Sequence, residues 1–187
     1  MIYFTSDLHF GHQNAIALCD RPFVDLEEMT ETLIRNYNKT VHKNDIVYIL
    51  GDLSYRIPVE KAEEIISRLK GRKTLVIGNH DKSYNPDLFD EICAYKDIRY
   101  NKLLFSLLHY PMLEWRNSPH GSIHLHGHIH SRPDKPYDIT GFVGNNYNQD
   151  NKARGIRRYD VGVDANNFKP VSIEQILAFF EIEPDTD

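Results

Sequence analysis

Residues 74–81, Thr-Leu-Val-Ile-Gly-Asn-His-Asp, join an apolar strand directly to three consecutive polar side chains. The short, unbroken apolar run at residues 75–77 is typical of a strand that is buried on both faces. Gly78 permits a sharp turn at the point where a side chain would clash. Because ligands bind beyond the carboxyl ends of strands in open α/β sheets, residues 79–81 form a candidate site. An Asn-led turn with a surface histidine would have the same local pattern.

The composition is that of an ordinary globular domain, with 41% hydrophobic and 26% charged residues. A chain of 187 residues is most simply one domain, and it can bury roughly 70% of the surface that its unfolded form exposes. The net charge of −5 gives the chain as a whole no basic footprint for nucleic acid. We therefore expect a single domain over residues 1–187 with a rigid site.

The two cysteines, Cys19 and Cys93, do not form a disulfide framework, and neither has a cysteine or histidine partner at zinc-site spacing. They predict free thiols in a reducing compartment. A strand pattern begins at Ile2 without a basic leader before it, and no apolar run approaches the roughly eighteen residues that a membrane span needs. These features predict a cytoplasmic protein without membrane association.

Strands and amphipathic helices alternate in the first part of the chain: strand 1–6, helix 26–40, strand 45–50, helix 59–69 and strand 73–77. Asp25 is the expected N-cap of the first helix. The alternation predicts parallel strands joined by right-handed crossovers, with all three strand ends at one edge of a sheet. Asp7, Asp52 and Asn79 should therefore be neighbours.

The pattern changes after a short helical stretch near Asp87. Four closely spaced strands follow without intervening helices, at residues 92–95, 98–100, 103–108 and 122–126. This spacing suggests hairpins in a second, mixed sheet.

The last part of the chain begins with a polar segment rich in Gly, Asn and Asp, residues 131–157, which predicts a long loop or insertion. A last strand is expected at residues 158–164. A closing helix at residues 172–180 should begin with a capping box formed by Ser172 and Gln175.

Several histidines follow predicted strands. Asp7 and His9 are two residues apart, so in extended backbone their side chains face the same way with Cα atoms roughly 6.5 Å apart and can converge on one ion. His12 is close enough in sequence to reach the same cleft, although a loop histidine can also be merely solvated. His109 and the pair His128 and His130 also follow predicted strands.

His124 and His126 precede that last pair at the same alternate spacing. Gly127 separates them from it by breaking the strand. We therefore expect His124 and His126 to lie on the sheet and to satisfy local hydrogen bonds.

Five motifs in a fixed order, each after a predicted strand, resemble those of the calcineurin-like metallophosphoesterases: Asp7-x-His9, Gly51-Asp52, Gly78-Asn79-His80-Asp81, His109 and Gly127-His128-x-His130. The resemblance covers residue 1 to about residue 165. It implies an α/β fold in which two mixed β-sheets pack as a sandwich flanked by helices, in four layers α/β/β/α. It also implies a dinuclear metal centre where the two sheets meet.

The resemblance assigns metal ligands position by position. Asp7, His9 and His130 would hold the first metal, Asn79, His109 and His128 the second, and Asp52 would bridge the two. Mixed oxygen and nitrogen ligands suit manganese, iron or zinc, and the carboxylate, amide and water oxygens favour two Mn²⁺ ions. Such a pair can generate a hydroxide at neutral pH for in-line displacement at phosphorus.

His80 would assist the departing oxygen, a task that suits the pKa of imidazole. Many family members carry a further Asp three residues after the bridging one, and Tyr55 stands at that position here. What orients His80 is therefore open, and the adjacent Asp81 is one candidate.

The predicted function is a metal-dependent phosphohydrolase, and specifically a phosphodiesterase. A phosphomonoesterase and a nuclease with the same centre are alternatives, and a non-catalytic scaffold of this fold is a further one. The expected substrate is a small phosphoester of nucleotide type. Nucleic acid is not favoured, because neither an extended basic groove nor a set of stacking aromatics is evident. The oligomeric state is left open.

Residues 132–158 carry six basic and three acidic residues, unlike the acidic remainder of the chain. Arg132 follows the ligand pair directly and, with His12, is a candidate substrate-binding residue. We expect either a solvated loop or a clamp on the far side of a nucleotide-like diester, with Tyr137 and Tyr147 stacking on a base.

Overall fold

The computed structural model describes residues 1–132 and 146–183. Its strands are β1 (Ile2–Thr5), β2 (Ile46–Ile49), β3 (Arg72–Val76), β4 (Glu91–Cys93), β5 (Lys96–Tyr100), β6 (Leu103–Leu107), β7 (Ile123–His126), β8 (Arg158–Asp160) and β9 (Val171–Ser172). They form a five-stranded sheet in the order β4-β3-β2-β1-β9 and a four-stranded sheet in the order β5-β6-β7-β8. Both sheets are mixed, because β9 is antiparallel to β1 and β5 is antiparallel to β6.

The helices of the described residues are α1 (Gln13–Leu18), α2 (Leu26–Thr40), α3 (Val59–Ser67), α4 (Tyr147–Ala153) and α5 (Ile173–Phe179). Short 3-10 turns lie at Pro86–Leu88 and Ser118–His120. The side chain of Asp25 accepts a hydrogen bond from the backbone of Glu28 and so caps α2, as predicted. The predicted capping box between Ser172 and Gln175 is also confirmed at the start of α5.

Two apolar layers hold these elements together. Side chains that alternate along the strands, such as Phe4, Val76 and Phe105, fill the space between the two sheets, where α5 also packs. The opposite face of the first sheet packs against α2 and α3. On the outer face of the second sheet, α4 lies against β8. The fold is therefore the predicted α/β sandwich, with two mixed sheets flanked by helices.

The parallel pairing of β1, β2 and β3 is confirmed, in the register Ile2 to Ile46 and Ile46 to Arg72. Their carboxyl ends therefore lie at one edge of the first sheet, as the strand-helix alternation predicts. No helix among the described residues is both long enough and apolar enough to cross a bilayer.

The sequence interpretation was wrong for one strand. We predicted that β4 belongs to the second sheet, but it pairs in parallel with β3 at the edge of the first. The same short segment therefore closes one sheet before the chain enters the other. The hairpin prediction holds for β5 and β6, whereas β6, β7 and β8 pair in parallel.

The polar segment 131–157 contains more regular structure than we predicted, because its end forms α4. Asn148 explains this placement: its side chain exchanges hydrogen bonds with the backbone of Asp160 on β8. Residues 133–145, including Tyr137, lie outside the described residues. The predicted strand at residues 158–164 is shorter and ends at Asp160.

Candidate metal centre

The loops after β1 and β2 are cross-linked at the edge of the first sheet. The backbone N–H of Asp7 donates to the carbonyl of Gly51 at 3.1 Å, and that of His9 donates to the carbonyl of Asp52 at 2.9 Å. These bonds continue the parallel ladder beyond the strands. They bring the carboxylates of Asp7 and Asp52 into one buried group with His109.

The structure brings the three residues of the first predicted ligand set together. Ligand atoms of Asp7, His9 and His130 lie within 4.8 Å of one another, and all three residues are buried. The Nε2 atoms of His9 and His130 are 3.2 Å apart, and Nε2 of His130 is 3.8 Å from Oδ1 of Asp7. Two imidazole nitrogens and a carboxylate thus face a common point.

Asp52 lies between the two predicted ligand sets. Its Oδ2 is 3.4 Å from Nε2 of His9 and 3.5 Å from Nε2 of His109. Its Oδ1 accepts a hydrogen bond from the backbone N–H of His80 at 2.9 Å. The carboxylate is therefore held in position at one oxygen and presents the other to both histidines.

The second predicted set is less tightly gathered. Oδ1 of Asn79 is 3.0 Å from Nε2 of His109, while the opposite nitrogen of that ring, Nδ1, lies 2.7 Å from the carbonyl of Leu50 and donates to it. The ring of His128 is 5.1 Å from that of His109, centroid to centroid. Its backbone N–H donates to the Asp7 carboxylate at 3.0 Å. His128 therefore borders this set, and its ring is outside the tightest groups of ligand atoms.

The donor atoms fit divalent cations. Ligands bonded to one cation at about 2.0–2.2 Å lie about 3–3.5 Å from each other, which is the spacing of the Nε2 atoms above. The hydrogen bond from His109 Nδ1 leaves its Nε2 as the free lone pair, as metal-binding histidines require. The residues present thus suit divalent metal binding better than a purely hydrogen-bonded cluster.

The backbone is left-handed at five of the seven predicted ligands, where φ is +58° at Asp7, +50° at His9, +55° at Asp52, +74° at His128 and +49° at His130. This conformation is uncommon for residues other than glycine, although Asp and His tolerate it better than most. Each such residue costs free energy that the surrounding structure must offset, and these outliers cluster at functional sites. At Asp7, Asp52 and His130 the strained backbone belongs to buried carboxylate and imidazole groups.

Two glycines allow the strand ends to approach closely. A Cβ at Gly78 would lie 2.3 Å from Oδ1 of Asp52, and a Cβ at Gly127 would lie 2.0 Å from Oγ of Ser6 and 2.4 Å from Oδ2 of Asp7. No side chain fits at either position. The glycines of the Gly-Asn-His-Asp and Gly-His-x-His motifs thus make room for the carboxylates.

A buried chain of polar residues supports His130, and sequence reasoning missed it. Nδ1 of His130 is 2.8 Å from Oδ2 of Asp164. Arg21 donates to both oxygens of Asp164, at 2.9 and 2.8 Å, and to the carbonyl of Asp7 at 2.7 Å. A ligating histidine whose other nitrogen donates to a carboxylate has a fixed orientation and greater basicity. Arg21 is isolated in a loop and Asp164 lies between β8 and β9, so neither gave a local signal of this role.

Burial and neighbouring charges shift the pKa values in this cluster. Burial and the neighbouring His130 hold the pKa of His9 far below its usual range. Burial also opposes the charged form of His130, but Asp7 and the hydrogen bond to Asp164 raise its pKa well above normal. Burial raises the pKa of Asp52, although the nearby His109 acts in the opposite direction. The carboxylates that raise the proton affinity of His130 would raise its affinity for a cation as well.

His80, the predicted catalytic residue, is partly exposed, with Nε2 3.9 Å from Oδ2 of Asp52. Asp81 does not orient His80. Its carboxylate instead accepts hydrogen bonds from the backbone of Asp52, Leu53 and Gly78. Asp81 therefore fixes the loops after β2 and β3. The ring of Tyr55, the residue that departs from the family pattern, meets that of His80 edge to face at 4.8 Å.

His12 lies beside the first ligand set, as its position suggested. Its ring is 5.3 Å from that of His9 and 3.9 Å from that of Tyr55, and its Nδ1 is buried without a hydrogen-bond partner among the described residues. Burial lowers the pKa of His12 to about 4, so the ring is neutral at pH 7. Arg132, the other candidate substrate contact, instead donates to the carbonyl of Cys19 and lies 3.8 Å from Asp20.

His124 and His126 lie on the sheet, as predicted. Nδ1 of His124 donates to the carbonyl of Ser106, and its Nε2 accepts from the backbone of Met112. Nδ1 of His126 donates to the carbonyl of Gly127, so its Nε2 accepts from the hydroxyl of Tyr147. Both histidines are therefore occupied by local hydrogen bonds.

The described part of the segment 132–158 does not form the predicted clamp. Tyr147 packs on His126, so it is not free to stack on a base. Arg157 donates to the carbonyl of Gly121, and Arg158 donates to that of Met112. These bonds use the guanidinium groups to attach the segment to the loop between β6 and β7.

The fold and the arrangement of this centre define a class of protein. Residues 1–173 match the family of calcineurin-like phosphoesterases. The chain belongs to this family, and it is a metal-dependent hydrolase of phosphoric esters.

The chain is similar to proteins of Methanocaldococcus jannaschii, Mycobacterium phage L5 and Aquifex aeolicus. The chain is 37% identical over 181 residues to an uncharacterised protein of Methanocaldococcus jannaschii, an alignment that covers 96% of this chain and 91% of that protein. It is 31% identical to the gene 66 protein of Mycobacterium phage L5, over 69% of this chain and 77% of that one. A crystal structure of a protein of unknown function from Aquifex aeolicus superposes with a TM-score of 0.71 at 29% identity, over 94% of this chain and 97% of that chain.

Proposed function

We propose that the protein is a phosphodiesterase whose active form holds two divalent cations. Asp7, His9 and His130 would bind one cation, Asn79, His109 and His128 the other, and Asp52 both. The observation that carries this proposal is the position of Oδ2 of Asp52, 3.4 Å from His9 and 3.5 Å from His109. A carboxylate has about four lone-pair sites and can serve two cations at once.

The cations would supply a nucleophilic hydroxide at neutral pH and stabilise the charge that develops on the phosphate oxygens. The chain itself contributes a proton at the leaving oxygen. His80 suits that task because its backbone is fixed by Asp52 while its ring is partly exposed beside the ligand cluster. No side-chain nucleophile is needed.

Preference for a diester is supported by two tyrosines, one near a ring of each predicted ligand set: Tyr55 is 6.2 Å from His9 and Tyr110 is 4.5 Å from His128, centroid to centroid. Tyr55 lies against His80 and His12. Tyr110 lies 4.5 Å from the ring of His128 and is 44% exposed. A diester carries an organic group on each side of its phosphorus, and each group would meet one tyrosine. A monoester has one organic group, so it would contact only one of the two tyrosines.

We propose Mn²⁺ as the metal, because three of the predicted ligands are carboxylate or amide oxygens and water would add further oxygens. The four imidazole ligands make iron and zinc the alternatives. The proposed substrate is a small phosphoester of nucleotide type. The chain's net charge of −5 argues against polynucleotides. A cytoplasmic location remains part of the same proposal.

The bridging role of Asp52 is tested by Asp52→Asn. An amide cannot hold two cations as a carboxylate does, so the variant should bind fewer than two metals per chain and lose activity by at least about 10²-fold. Elemental analysis after gel filtration measures the metal content. Asp90→Asn, at an exposed carboxylate that pairs with Arg72, is the control. Two metals and full activity in Asp52→Asn would contradict the assignment.

The substrate class is tested with phosphomonoesters, cyclic nucleotides, dinucleotides and oligonucleotides, each assayed with Mn²⁺ on the purified protein. We expect the highest kcat/KM on small diesters. Faster hydrolysis of monoesters would favour the phosphomonoesterase alternative, and faster hydrolysis of oligonucleotides would favour a nuclease. A complete lack of hydrolysis with bound metal would favour the scaffold.

A further inference from the structure

Tyr55 and Arg56 lie in the loop between β2 and α3, beside His80, and none of the predicted roles involves this pair. We call the pair the corner of the cleft. The corner is rigidly attached to the loop after β1: the backbone N–H of Tyr55 donates to the carbonyl of Phe10 at 2.9 Å. A Cβ at Gly11 would lie 2.2 Å from Cγ2 of Ile57, so the two loops are in direct contact. The ring of Tyr55 therefore projects from a fixed backbone.

The position of the ring relates it to the chemistry. Tyr55 contacts His12 on one side, with ring centroids 3.9 Å apart, and meets His80 edge to face at 4.8 Å. If His80 protonates the departing oxygen, the leaving group must pass on the side of the cleft where Tyr55 lies. Residues at this corner are thus placed to contact the leaving group.

Arg56 adds a positive charge to the corner. Its guanidinium carbon lies 5.0 Å from the centroid of the Tyr55 ring, a cation–π contact that restrains an otherwise flexible side chain. The residue is exposed, and its backbone is left-handed, with φ of +53°. No carboxylate pairs with Arg56 among the residues that the structure describes. An arginine with free donors in a chain of net charge −5 suits an anionic ligand.

We propose that Tyr55 and Arg56 form the leaving-group subsite, and that the preferred substrate is a phosphodiester whose leaving group carries a second anionic group of phosphate or carboxylate type. The planar donors of Arg56 would pair with that anion, and Tyr55 would hold the guanidinium in place. The inference rests on the proposed phosphodiesterase function and on the role of His80. It assigns substrate recognition to this corner instead of the segment 132–158.

A pair of chromogenic diesters tests the subsite, because their phenol always leaves in preference to methanol. Methyl 4-nitrophenyl phosphate and methyl 3-carboxy-4-nitrophenyl phosphate differ only in a carboxylate on the leaving group. The Mn²⁺-loaded protein should hydrolyse the carboxylated ester with roughly 2- to 5-fold higher kcat/KM, mostly through KM, as expected for one exposed ion pair. The preference should shrink as salt is added.

Variants assign the preference to particular groups. Arg56→Gln should abolish the preference by lowering kcat/KM for the carboxylated ester to the value for methyl 4-nitrophenyl phosphate. Tyr55→Leu should abolish it as well and should slow hydrolysis of both esters, because Tyr55 also contacts the organic group, whereas Tyr55→Phe should keep the preference. Arg99→Gln removes the same charge from an exposed position on β5 and should change nothing. An unchanged preference in Arg56→Gln, or an equal loss in Arg99→Gln, would overturn the proposal.

A binding measurement separates failure of this inference from failure of the proposed function. Isothermal titration calorimetry of the metal-loaded protein with 3-carboxy-4-nitrophenol and with 4-nitrophenol needs no turnover. The carboxylated phenol should bind roughly 2- to 5-fold more tightly, and only when Arg56 is present. Equal binding of the two phenols would refute the subsite even if both esters are hydrolysed. Selective binding without hydrolysis would refute only the phosphodiesterase.

Discussion

Asp164 acts on the proposed first metal without touching it. It accepts a hydrogen bond from Nδ1 of His130, and its two oxygens accept hydrogen bonds from Nε and Nη2 of Arg21. Burial would raise the pKa of Asp164, but Arg21 and His130 outweigh it and keep the pKa far below normal. The carboxylate therefore stays charged and aligns His130 with Nε2 toward Asp7 and His9.

We predict that Asp164→Asn weakens binding of one metal about 10- to 100-fold, the loss typical of a partner behind a metal-ligating histidine. Competition with a fluorescent Mn²⁺ chelator measures the affinity of each site. Asp97→Asn is a suitable control, because Asp97 also pairs with an arginine, Arg116, but lies on the second sheet. Equal affinities in the wild type and Asp164→Asn would show that the carboxylate has no part in metal binding.

A substitution of His80 tests its proposed role as the proton donor to the leaving group. His80→Ala should keep both metals and lose roughly 10²- to 10⁴-fold in kcat on diesters with poor leaving groups, because the departing oxygen then lacks its proton donor. An activated aryl ester should be affected less. His120→Ala, at an exposed histidine in a 3-10 turn, is the control. Equal losses on good and poor leaving groups would argue against His80 as the acid.

At the scale of elements, local signals predicted some boundaries and missed others. Helix α2 has the predicted bounds, residues 26–40, because its N-cap Asp25 and the helical spacing of its apolar residues are both local signals. Helix α4 has no such pattern. Its sequence, Tyr-Asn-Gln-Asp-Asn-Lys-Ala, is polar, and the helix is held by Tyr147 on His126 and by Asn148 on β8.

The N-terminus of α5 offers a prediction for one element. Oγ of Ser172 accepts from the backbone of Gln175 at 3.1 Å, and the Gln175 side chain accepts from the backbone of Ser172 at 2.8 Å. Ser172→Ala should lower the free energy of unfolding by about 1 kcal/mol. Urea unfolding measures the change. Ser67→Ala, at the exposed end of α3, should have a smaller effect, and equal effects would show that the cap does not matter.

At the scale of the whole molecule, buried neutral histidines make stability depend on pH. Burial lowers the pKa of His124 from 6.5 to about 4. Below pH 6.5 the unfolded chain takes up a proton at this residue, but the folded chain does so only near pH 4. Stability is therefore complete above pH 6.5 and is lost as the pH falls toward 4.

We predict that His124 alone removes about 2 kcal/mol of stability from the metal-free protein between pH 7 and pH 5. His124→Gln should be less stable at pH 7, because it loses part of the bonding to Ser106 and Met112, but its stability should fall less on acidification. Urea unfolding at the two pH values, with chelator present, gives the difference. An equal decrease in His124→Gln and the wild type would contradict the prediction, and His120→Gln should behave as the wild type.

Two features were predictable from the sequence alone: the alternation of strands and helices in the first half of the chain, and the five motifs at the ends of strands. Parallel pairing then brings Asp7 and Asp52 together, because each follows one of two strands that pair side by side in the same direction. Periodicity, caps and strand-end motifs are properties of a few adjacent residues. For that reason they can be read before the chain is folded.

Three features are visible in the folded chain alone. Strand β4 pairs at the edge of the first sheet, and Asp164 and Arg21 support His130. The ring of Tyr55, with Arg56 over it, lies beside His80. Asp164 is 34 residues from His130, and Arg21 is 143 residues from Asp164. Their pairing depends on burial, which leaves a charged group no partner but those that packing provides. Packing joins residues that are distant in sequence, so no local pattern contains this information.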